Sequence, residues 1–430
     1  MSIRNKNRKG YKHTSIGWIP EEWENKKLKN ISVINPDSLS ESTNPDFKFY
    51  YLDLGVAKNG GIDLPLEKLH FLGSPSRARR RIKKNDILVS TVRPNLKGFA
   101  FIDFDADNYI CSTGFAVVRA AEDCDPKYIH YNLFTNKMES YFSQCVIGSS
   151  YPALNNNDVE NIPIPLPPLP EQKKIAKILS AWDKAIELTQ NLIVEKQRLK
   201  KGLMQKLLTG RVRFSEFGKN SLNKNLKLTN LGVPIPQGWE KIQINDVLSE
   251  RIEVSSDLRS YPLFSLTIEK GVTEKTERYE RSFLLKDKEQ NDYRIVYPND
   301  IIYNPMNLRF GAIAVSNQTK IVSVSAYYNV LTLKTKKAEM DFLIRLFISD
   351  RMMNVYDRVA IGSLIEKKRV HLSDFLEIEI PLPSLPEQKK IAAVLSKLDE
   401  QISLLRKKES ALKEQKKGLM QKLLTGEVRV

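Results

Sequence analysis

The sequence predicts an α+β chain: two globular domains separated by two long antiparallel helices that pair as a coiled coil, a pseudo-two-fold internal repeat. Three observations lead there. The segment L-P-E-Q-K-K-I-A at Leu169–Ala176 recurs at Leu385–Ala392, and K-K-G-L-M-Q-K-L-L-T-G at Lys200–Gly210 recurs at Lys416–Gly426, each pair 216 residues apart. Of the 46 positions in Leu169–Phe214, 26 are identical in Leu385–Val430, which marks duplication of a whole unit. Between the preserved ends, apolar residues keep the seven-residue rhythm of a coiled-coil seam.

Each repeated segment reads as one helix. Pro170 and Pro386 stand in the first turn, where a missing N–H costs nothing, and Glu171 and Glu387 lie beside the positive helix end. Gly210 and Gly426 follow the last apolar pair, where a left-handed residue commonly stops a helix. The seam is Ile175, Ile178, Leu179, Trp182, Ala185, Ile186, Leu192, Ile193, Leu199, Leu203 and Leu207 in the first copy. In the second it is Ile391, Val394, Leu395, Leu398, Ile402, Leu405, Leu412, Leu419 and Leu423. A helix from Glu171 to Leu208 is roughly 57 Å long and needs a partner along its flank. The other copy is the simplest one.

The domain openings repeat as well. I-P-E-E-W-E at Ile19–Glu24 returns as I-P-Q-G-W-E at Ile235–Glu240, again 216 residues on. The resulting division is a basic tail (1–15), a first domain (16–168), a first helix (169–210), a linker (211–230), a second domain (231–384), a second helix (385–426) and a short tail (427–430). Within the domains, Phe49–Leu54 and Pro262–Leu266 are strand-length apolar runs. Ile82–Val89 and Val296–Tyr303 each enter a β-branched strand through an Asn-Asp turn. Phe99–Ile102 and Ala312–Val315 follow as strands, then Gly114–Val118 and Tyr327–Leu333. Tyr128–Phe142 and Phe342–Tyr356 read as helices. The alternate prolines of Ile162–Pro167 and Ile378–Pro383 restrict those segments to a sheet edge.

Composition narrows the function. No run of eighteen apolar residues exists and the N-terminus lacks the apolar core of a signal peptide, so a cytoplasmic, non-membrane protein is expected. Cys111, Cys124 and Cys145 have no C-x-x-C spacing, and His13, His70, His130 and His371 are isolated, so no metal site is expected. The net charge of +17 points to a polyanion partner. Leu169–Phe214 and Leu385–Val430 hold +7 and +5 of it, and Arg4, Lys6, Arg8, Lys9 and Lys12 form a basic tail. Any nucleic-acid face on the domains is therefore a local patch.

The tandem order has a geometric consequence. The first helix leads from the first domain to the second, and a short linker keeps the second domain near its far end. The second helix then packs by running back, so the expectation is a rod holding two unlike domains apart. Such a rod spans at most roughly 17 base pairs of duplex DNA at ~3.4 Å each. Half-site centres are expected about one helical turn apart, on one side of the duplex.

These residues resemble a known family, the specificity subunits of type I restriction-modification systems. The matching stretches are L-P-x-L-P-E-Q-K-K-I-A at Leu166–Ala176 and Leu382–Ala392, both K-K-G-L-M-Q-K-L-L-T-G helix ends and both I-P-x-x-W-E openings. The resemblance covers nearly the whole chain. It implies that each domain is a target-recognition domain reading half of an interrupted site in double-stranded DNA. It also implies that the helices are spacer and docking surface for two adenine-methyltransferase subunits, joined by restriction-translocase subunits. Glu171, Gln172, Ile175, Trp182, Leu203 and Leu207, with Glu387, Gln388, Ile391, Leu398, Leu419 and Leu423, are the residues assigned to that spacer and docking role. It implies further that this chain has no catalysis or cofactor of its own, with S-adenosylmethionine, ATP and magnesium on the partners.

The residues agree with a non-enzyme. No G-x-x-x-x-G-K-[S/T] phosphate loop is present. Tyr303-Asn304-Pro305-Met306 lacks the second proline and closing aromatic of an adenine-methyltransferase motif. The alternatives are a structural adaptor rod bridging proteins, or a self-sufficient DNA methyltransferase or nuclease. DNA-contact candidates are the run Arg77, Arg79, Arg80, Arg81, Lys83 and Lys84, then Arg93, Asn95 and Lys97 after a strand. In the second domain Asn304, Asn307 and Arg309 hold the equivalent turn. Ser149, Ser150 and Tyr151 after Gly148, and Ser363 with Lys367, Lys368 and Arg369 after Gly362, are loop candidates. Arg251, Arg259 and Lys270 are further candidates.

Overall fold

The strand Ile87–Ser90 is buried on both faces, and that property organises the first domain around it in the computed structural model of the chain. The structure describes residues 9–58, 60–146, 152–218, 227–274, 292–363 and 368–430. The chain divides into two units, residues 1–190 with 407–430 and residues 191–406. Each unit therefore holds one globular domain, part of the helix that follows it and part of the other helix.

In the first unit, Ile87–Ser90 pairs antiparallel with Phe99–Phe101 and Phe115–Ala120, and the latter pairs with Ser32–Ile34. A second four-stranded sheet runs Lys68–His70, Lys48–Leu52, Tyr109–Ser112, Ala78–Arg81. In the second unit, Ile301–Tyr303 is the equivalent buried strand, between Ile313–Val315 and Asn329–Leu333, with Leu248–Glu250 at the far side. The strand order is thus the same, as the repeat requires. Among the described residues the second sheet differs: it has three strands, Val254–Ser255, Tyr293–Val296 and Val322–Val324, with a separate hairpin of Phe264–Thr267 and Gly271–Glu274. Among the described residues Pro163–Leu166 and Glu379–Leu382 each pair with one strand, Glu24–Lys27 and Glu240–Gln243, as their prolines demand.

The Asn-Asp turns have one purpose in both domains. Asn85 and Asn299 take positive φ (72° and 68°), which Asn tolerates better than most residues. Asp86 and Asp300 are then buried, each bonding a turn N–H and an arginine. Arg119 donates to Asp86 at 2.8 and 2.7 Å, and Arg251 donates to Asp300 at 2.6 and 3.0 Å. The expected single helices Tyr128–Phe142 and Phe342–Tyr356 are each two. Pro126–Asn132 ends before Thr135, whose hydroxyl caps Asn136–Cys145, and Met340–Phe347 ends before Ser349, which caps Asp350–Val359. A mid-helix hydroxyl has diverted the backbone into a new N-terminus.

The long helices run Leu169–Leu207 and Leu385–Leu424. In each unit they pair antiparallel. In the first, Arg429 reaches Glu171, Lys416 reaches Asp183 at 2.5 Å and Gln190 reaches Glu409 at 2.8 Å. In the second, Arg213 reaches Glu387 and Lys200 reaches Asp399 at 2.5 Å. Partners rise along one helix as they fall along the other. Most of the expected seam is buried or half-buried, but Leu192 and Leu199 are not: they stand 46% and 48% exposed. The drifted middle of the repeat no longer holds the heptad to one face.

The preserved helix ends are explained by where they pack. Leu423 and Leu424 enter the core of the first domain, and Leu207 and Leu208 enter that of the second. Gly426 lies on Pro20 and Trp23, and Gly210 on Pro236 and Trp239. A Cβ at either glycine would come within 2.4 Å of proline Cγ, and their φ of +69° and +63° disfavours any other residue. So I-P-x-x-W-E and the terminal T-G are two sides of one contact.

Arg213 and Glu387 form a buried pair, 6% and 1% exposed, at 2.8 and 2.7 Å. Arg429 and Glu171 form the equivalent pair, but Arg429 is 40% exposed and Trp23 Nε1 also donates to Glu171 at 3.1 Å. Trp239 Nε1 finds no partner among the described residues. Arg213→Ala is therefore expected to destabilise the chain by about 3–5 kcal/mol in urea unfolding, through an uncompensated buried carboxylate. Arg429→Ala is expected to cost only about 1–2 kcal/mol. Equal losses would contradict the difference in burial.

Candidate nucleic-acid interface and helix surfaces

The basic run of the first domain is split by its strand. Ala78–Arg81 alternates faces, so Arg79 and Arg81 project to one side. There Arg79 lies 4.9 Å over the Phe71 ring and donates to Ala78 O at 2.9 Å, and Arg81 lies 5.6 Å over Phe47 and 3.8 Å from the Asp37 carboxylate. Arg80 points the other way beside Cys111, and burial lowers its affinity for the proton. That placement leaves it half-buried and turned away from Arg79 and Arg81. Arg77 is exposed at the start of the strand, and Lys83 and Lys84 are exposed on the turn that Asp86 holds.

A second group of candidates is brought together across sequence. Arg93 takes positive φ (49°) and donates its N–H to Pro152 at 2.8 Å, and Val92 bridges to Ala153. The Arg93–Lys97 turn therefore lies against the segment that follows 148–151. Gly148, Ser149, Ser150 and Tyr151 themselves lie outside the described residues, as does Lys367. Thr91 and Arg77 both bond the Thr113–Gly114 turn, which sets the basic strand beside this loop. Asn95 and Leu96 are exposed at its tip, whereas Lys97 is ion-paired with Glu139.

The second domain builds the same corner with other residues. Val370 N–H donates to Pro305, so the Asn304–Arg309 turn meets the segment at Lys368 and Arg369, where Arg369 bridges to Ile361. Ser363, Asn307 and Arg369 are exposed and Lys368 is half-buried. Asn304 is occupied in shaping the turn, accepting from Met306 N–H at 3.0 Å. Two arginines are structural. Arg309, 10% exposed, pairs with Asp357 at 3.2 Å and covers the Phe310 ring. Arg251 braces Asp300 and Glu253. Arg259 and Lys270 are exposed on turns away from any ion pair that the structure records. Nothing in the sequence marked the Phe310 side chain, which stands 57% exposed beside Arg309.

The helix residues divide similarly. Gln172 accepts from Asp125 N–H and donates to Pro167, and Gln388 accepts from Glu339 N–H and donates to Pro383. Glu171, Gln172, Glu387 and Gln388 are all buried: the two glutamines lock each helix start to its own domain, and the two glutamates receive Arg429 and Arg213. Ile175, Leu207, Ile391, Leu398 and Leu423 are buried too, and Trp182, Leu203 and Leu419 are half-buried. The polar contacts beyond them were not foreseen. Asp183 accepts from Lys416 and Tyr131, and Asp399 from Lys200 and Arg345. Burial works to raise the Asp399 carboxyl, but the hydrogen bonds from Lys200 and Arg345 bring it below its ordinary value.

A model of the type I restriction-modification DNA specificity domain matches residues 20–196 and again 236–414. The chain belongs to the type I restriction-modification specificity family. It is 28% identical over 430 residues to the type I restriction enzyme MjaVIII specificity subunit of Methanocaldococcus jannaschii, covering 96% of this chain and 94% of that one. It is 32% identical over 121 residues to the HindI specificity subunit of Haemophilus influenzae, 27% of this chain and 26% of the relative. The fold is shared with a chain from a study of assembly and conformational transition of the type I R-M system (TM-score 0.59, 22% identity, 95% and 99% coverage). It is shared also with the S subunit of a type I system from M. genitalium (0.53, 16%, 93% and 96%). In this specificity chain, no described helix is long and apolar enough to cross a membrane, and no described cluster of His, Cys, Asp and Glu could hold a metal ion.

His130 sits on the helix Pro126–Asn132 of the specificity chain, with Nδ1 unpartnered among the described residues. Burial, aided by Lys416 and Lys127, pushes its pKa down from 6.5 to about 3. The unfolded chain then binds the extra proton first, so stability falls as pH drops from 6.5 toward 3. The slope from this group is at most ~1.4 kcal/mol per pH unit. His130→Phe is expected to flatten the fall in urea midpoint between pH 6.5 and 5. An unchanged slope would contradict a neutral, buried imidazole.

Proposed function

We propose that this chain is the non-catalytic DNA-reading subunit of a type I restriction-modification complex. Each domain reads one half of an interrupted site in double-stranded DNA. The paired helices set the spacing and dock adenine-methyltransferase subunits, and restriction-translocase subunits join the assembly. S-adenosylmethionine, ATP and magnesium are used by those partners, and the complex works in the cytoplasm.

One observation carries the reading. The contacts between helix ends and domain openings repeat nearly residue for residue, whereas the exposed loops differ: Arg93 and Asn95 in one domain, Asn307 and Arg369 in the other. A constant frame with two unlike tips is what separate reading of two half-sites requires. Contact through Arg79 and Arg81 adds a phosphate or guanine component.

Two measurements test it. Adenine methylation mapped in cells carrying this chain and its methyltransferase is expected to show one interrupted motif. Replacing residues 16–168 by those of a relative should exchange one half only; a continuous motif, or exchange of both halves, would contradict the assignment. For the chain with its methyltransferase, Arg79→Glu with Arg81→Glu is expected to weaken DNA binding and reduce the slope of log K against log salt by about 2. An adaptor rod that ignores DNA would show no change.

A further inference from the structure

The turn that follows the buried strand is built twice to one plan. From Asn85 to Phe99 and from Asn299 to Ile313, each position has its counterpart 214 residues on. Both turns are single 3-10 turns, Pro94–Leu96 and Leu308–Phe310. The same backbone bonds close them. Leu96 N–H donates to Arg93 and Lys97 N–H to Pro94; Phe310 N–H donates to Asn307 and Gly311 N–H to Leu308. Both leave through a left-handed residue, Lys97 (φ 51°) or Gly311 (φ 90°). Each packs on the second short helix of its domain, Asn136–Cys145 or Asp350–Val359. The first residue of each turn, Pro94 or Leu308, is apolar and buried. The last is apolar and turned out: Leu96 is 63% exposed and Phe310 57%.

One exposed apolar side chain needs no explanation. Two at the same step of a repeated turn do, because the residues around them have changed. Arg93 answers to Asn307, Asn95 to Arg309 and Lys97 to Gly311. Both tips are held stiffly. Arg93 and Lys97 take positive φ on either side of Leu96, a strained backbone of the kind kept where a side chain must be aimed. The Phe310 ring is braced by the Arg309 guanidinium, 4.5 Å from its centroid, and Asp357 holds that arginine at 3.2 Å.

The surroundings specify what the tips meet. Arg93 and Asn95 are exposed beside Leu96, and Asn307 and Arg369 are exposed in the corner that carries Phe310. The carboxylates Glu139 and Asp357, on the helices beneath, are taken up by Lys97 and Arg309. An apolar point among cations and amides suits the polyanion with stacked apolar faces inside, duplex DNA. We propose that Leu96 and Phe310 are wedges, each entering and partly unstacking one base step of the half-site that its domain reads. Leucine and phenylalanine have the shape that parts stacked bases. The proposal rests on the reading of each domain as a half-site reader, and adds a deformation of the duplex to polar contact. The cost of unstacking is least at pyrimidine–purine steps, so each wedge also selects sequence where no hydrogen bond is made.

The test uses the full-length chain with its purified methyltransferase, without S-adenosylmethionine, on duplexes carrying the mapped motif. 2-Aminopurine or pyrrolocytosine, whose fluorescence rises on unstacking, replaces one adenine or cytosine at a time through each half-site. The adenine that is methylated is left unchanged. At saturating protein the wild-type chain is expected to raise fluorescence at one step in each half. Phe310→Ala is expected to abolish the rise in its own half only and to weaken binding about fivefold or more, and Leu96→Ala to do the same in the other half. Phe310→Leu should keep the rise. Both alanine variants should melt as the wild type does and still bind methyltransferase, since the side chains removed are exposed. A rise absent from the wild-type complex, surviving either alanine substitution, or lost in both halves at once would overturn the wedge and leave half-site reading intact. Loss of methyltransferase binding in the alanine variants would assign the tips to a protein contact and overturn it too. A wild-type complex that binds no interrupted motif would overturn the functional reading, and this inference with it.

Discussion

Everything in this structure depends on a helix end being received by a domain that is not the one it grew from. Leu207, Leu208 and Gly210 complete the core of the second domain, and Leu423, Leu424 and Gly426 complete that of the first. The carboxylates Glu387 and Glu171 then secure the exchange by pairing with Arg213 and Arg429, which follow those ends in sequence. Neither domain has a finished core without the other helix. The chain must therefore form both exchanges to bury its apolar surface, and the repeat in sequence becomes a repeat in contacts.

This arrangement separates what must stay constant from what is free to change. The frame consists of the buried strand Ile87–Ser90 or Ile301–Tyr303, the Asp86–Arg119 or Asp300–Arg251 brace, and the helix contacts. Arg119 lies on the strand Phe115–Ala120 and Arg251 just after Leu248–Glu250, so the carboxylate is kept and its partner has been found anew. The turns at Arg93–Lys97 and Asn304–Arg309 hang from this frame through backbone bonds, to Pro152 and from Val370, that make no demand on side chains. Their tips change without cost to the core.

The fold was legible where physics repeats itself in sequence. Prolines at the helix starts, glycines after their ends and Asn-Asp turns each have one structural meaning and stand where expected, and the heptads hold except at Leu192 and Leu199. The helix breaks at Thr135 and Ser349 were not legible, because a hydroxyl at a mid-helix position is neutral until the backbone turns to it. The candidate interface was legible in part. Exposed Arg77 and Asn307 could be read as surface, but Arg80, Arg251 and Arg309 could not be told from contact residues, since an arginine braces a buried carboxylate and grips a phosphate with the same fork. Glu171 and Gln172 are buried within the chain: Glu171 is held by Arg429 from the far end of the sequence, and Gln172 by Asp125 and Pro167 of the domain before it.

The antiparallel exchange is the claim on which the rest stands, and cross-linking tests it directly. With Cys145 replaced by alanine and the buried Cys111 and Cys124 kept, cysteines placed at Asp183 and Lys416 should be joined within one chain by a short bis-maleimide, at monomer mass. Cysteines at the repeat-related positions Asp183 and Asp399 should not be joined. Linkage of the second pair and not the first would mean that the helices run in the same direction, and would contradict the exchange.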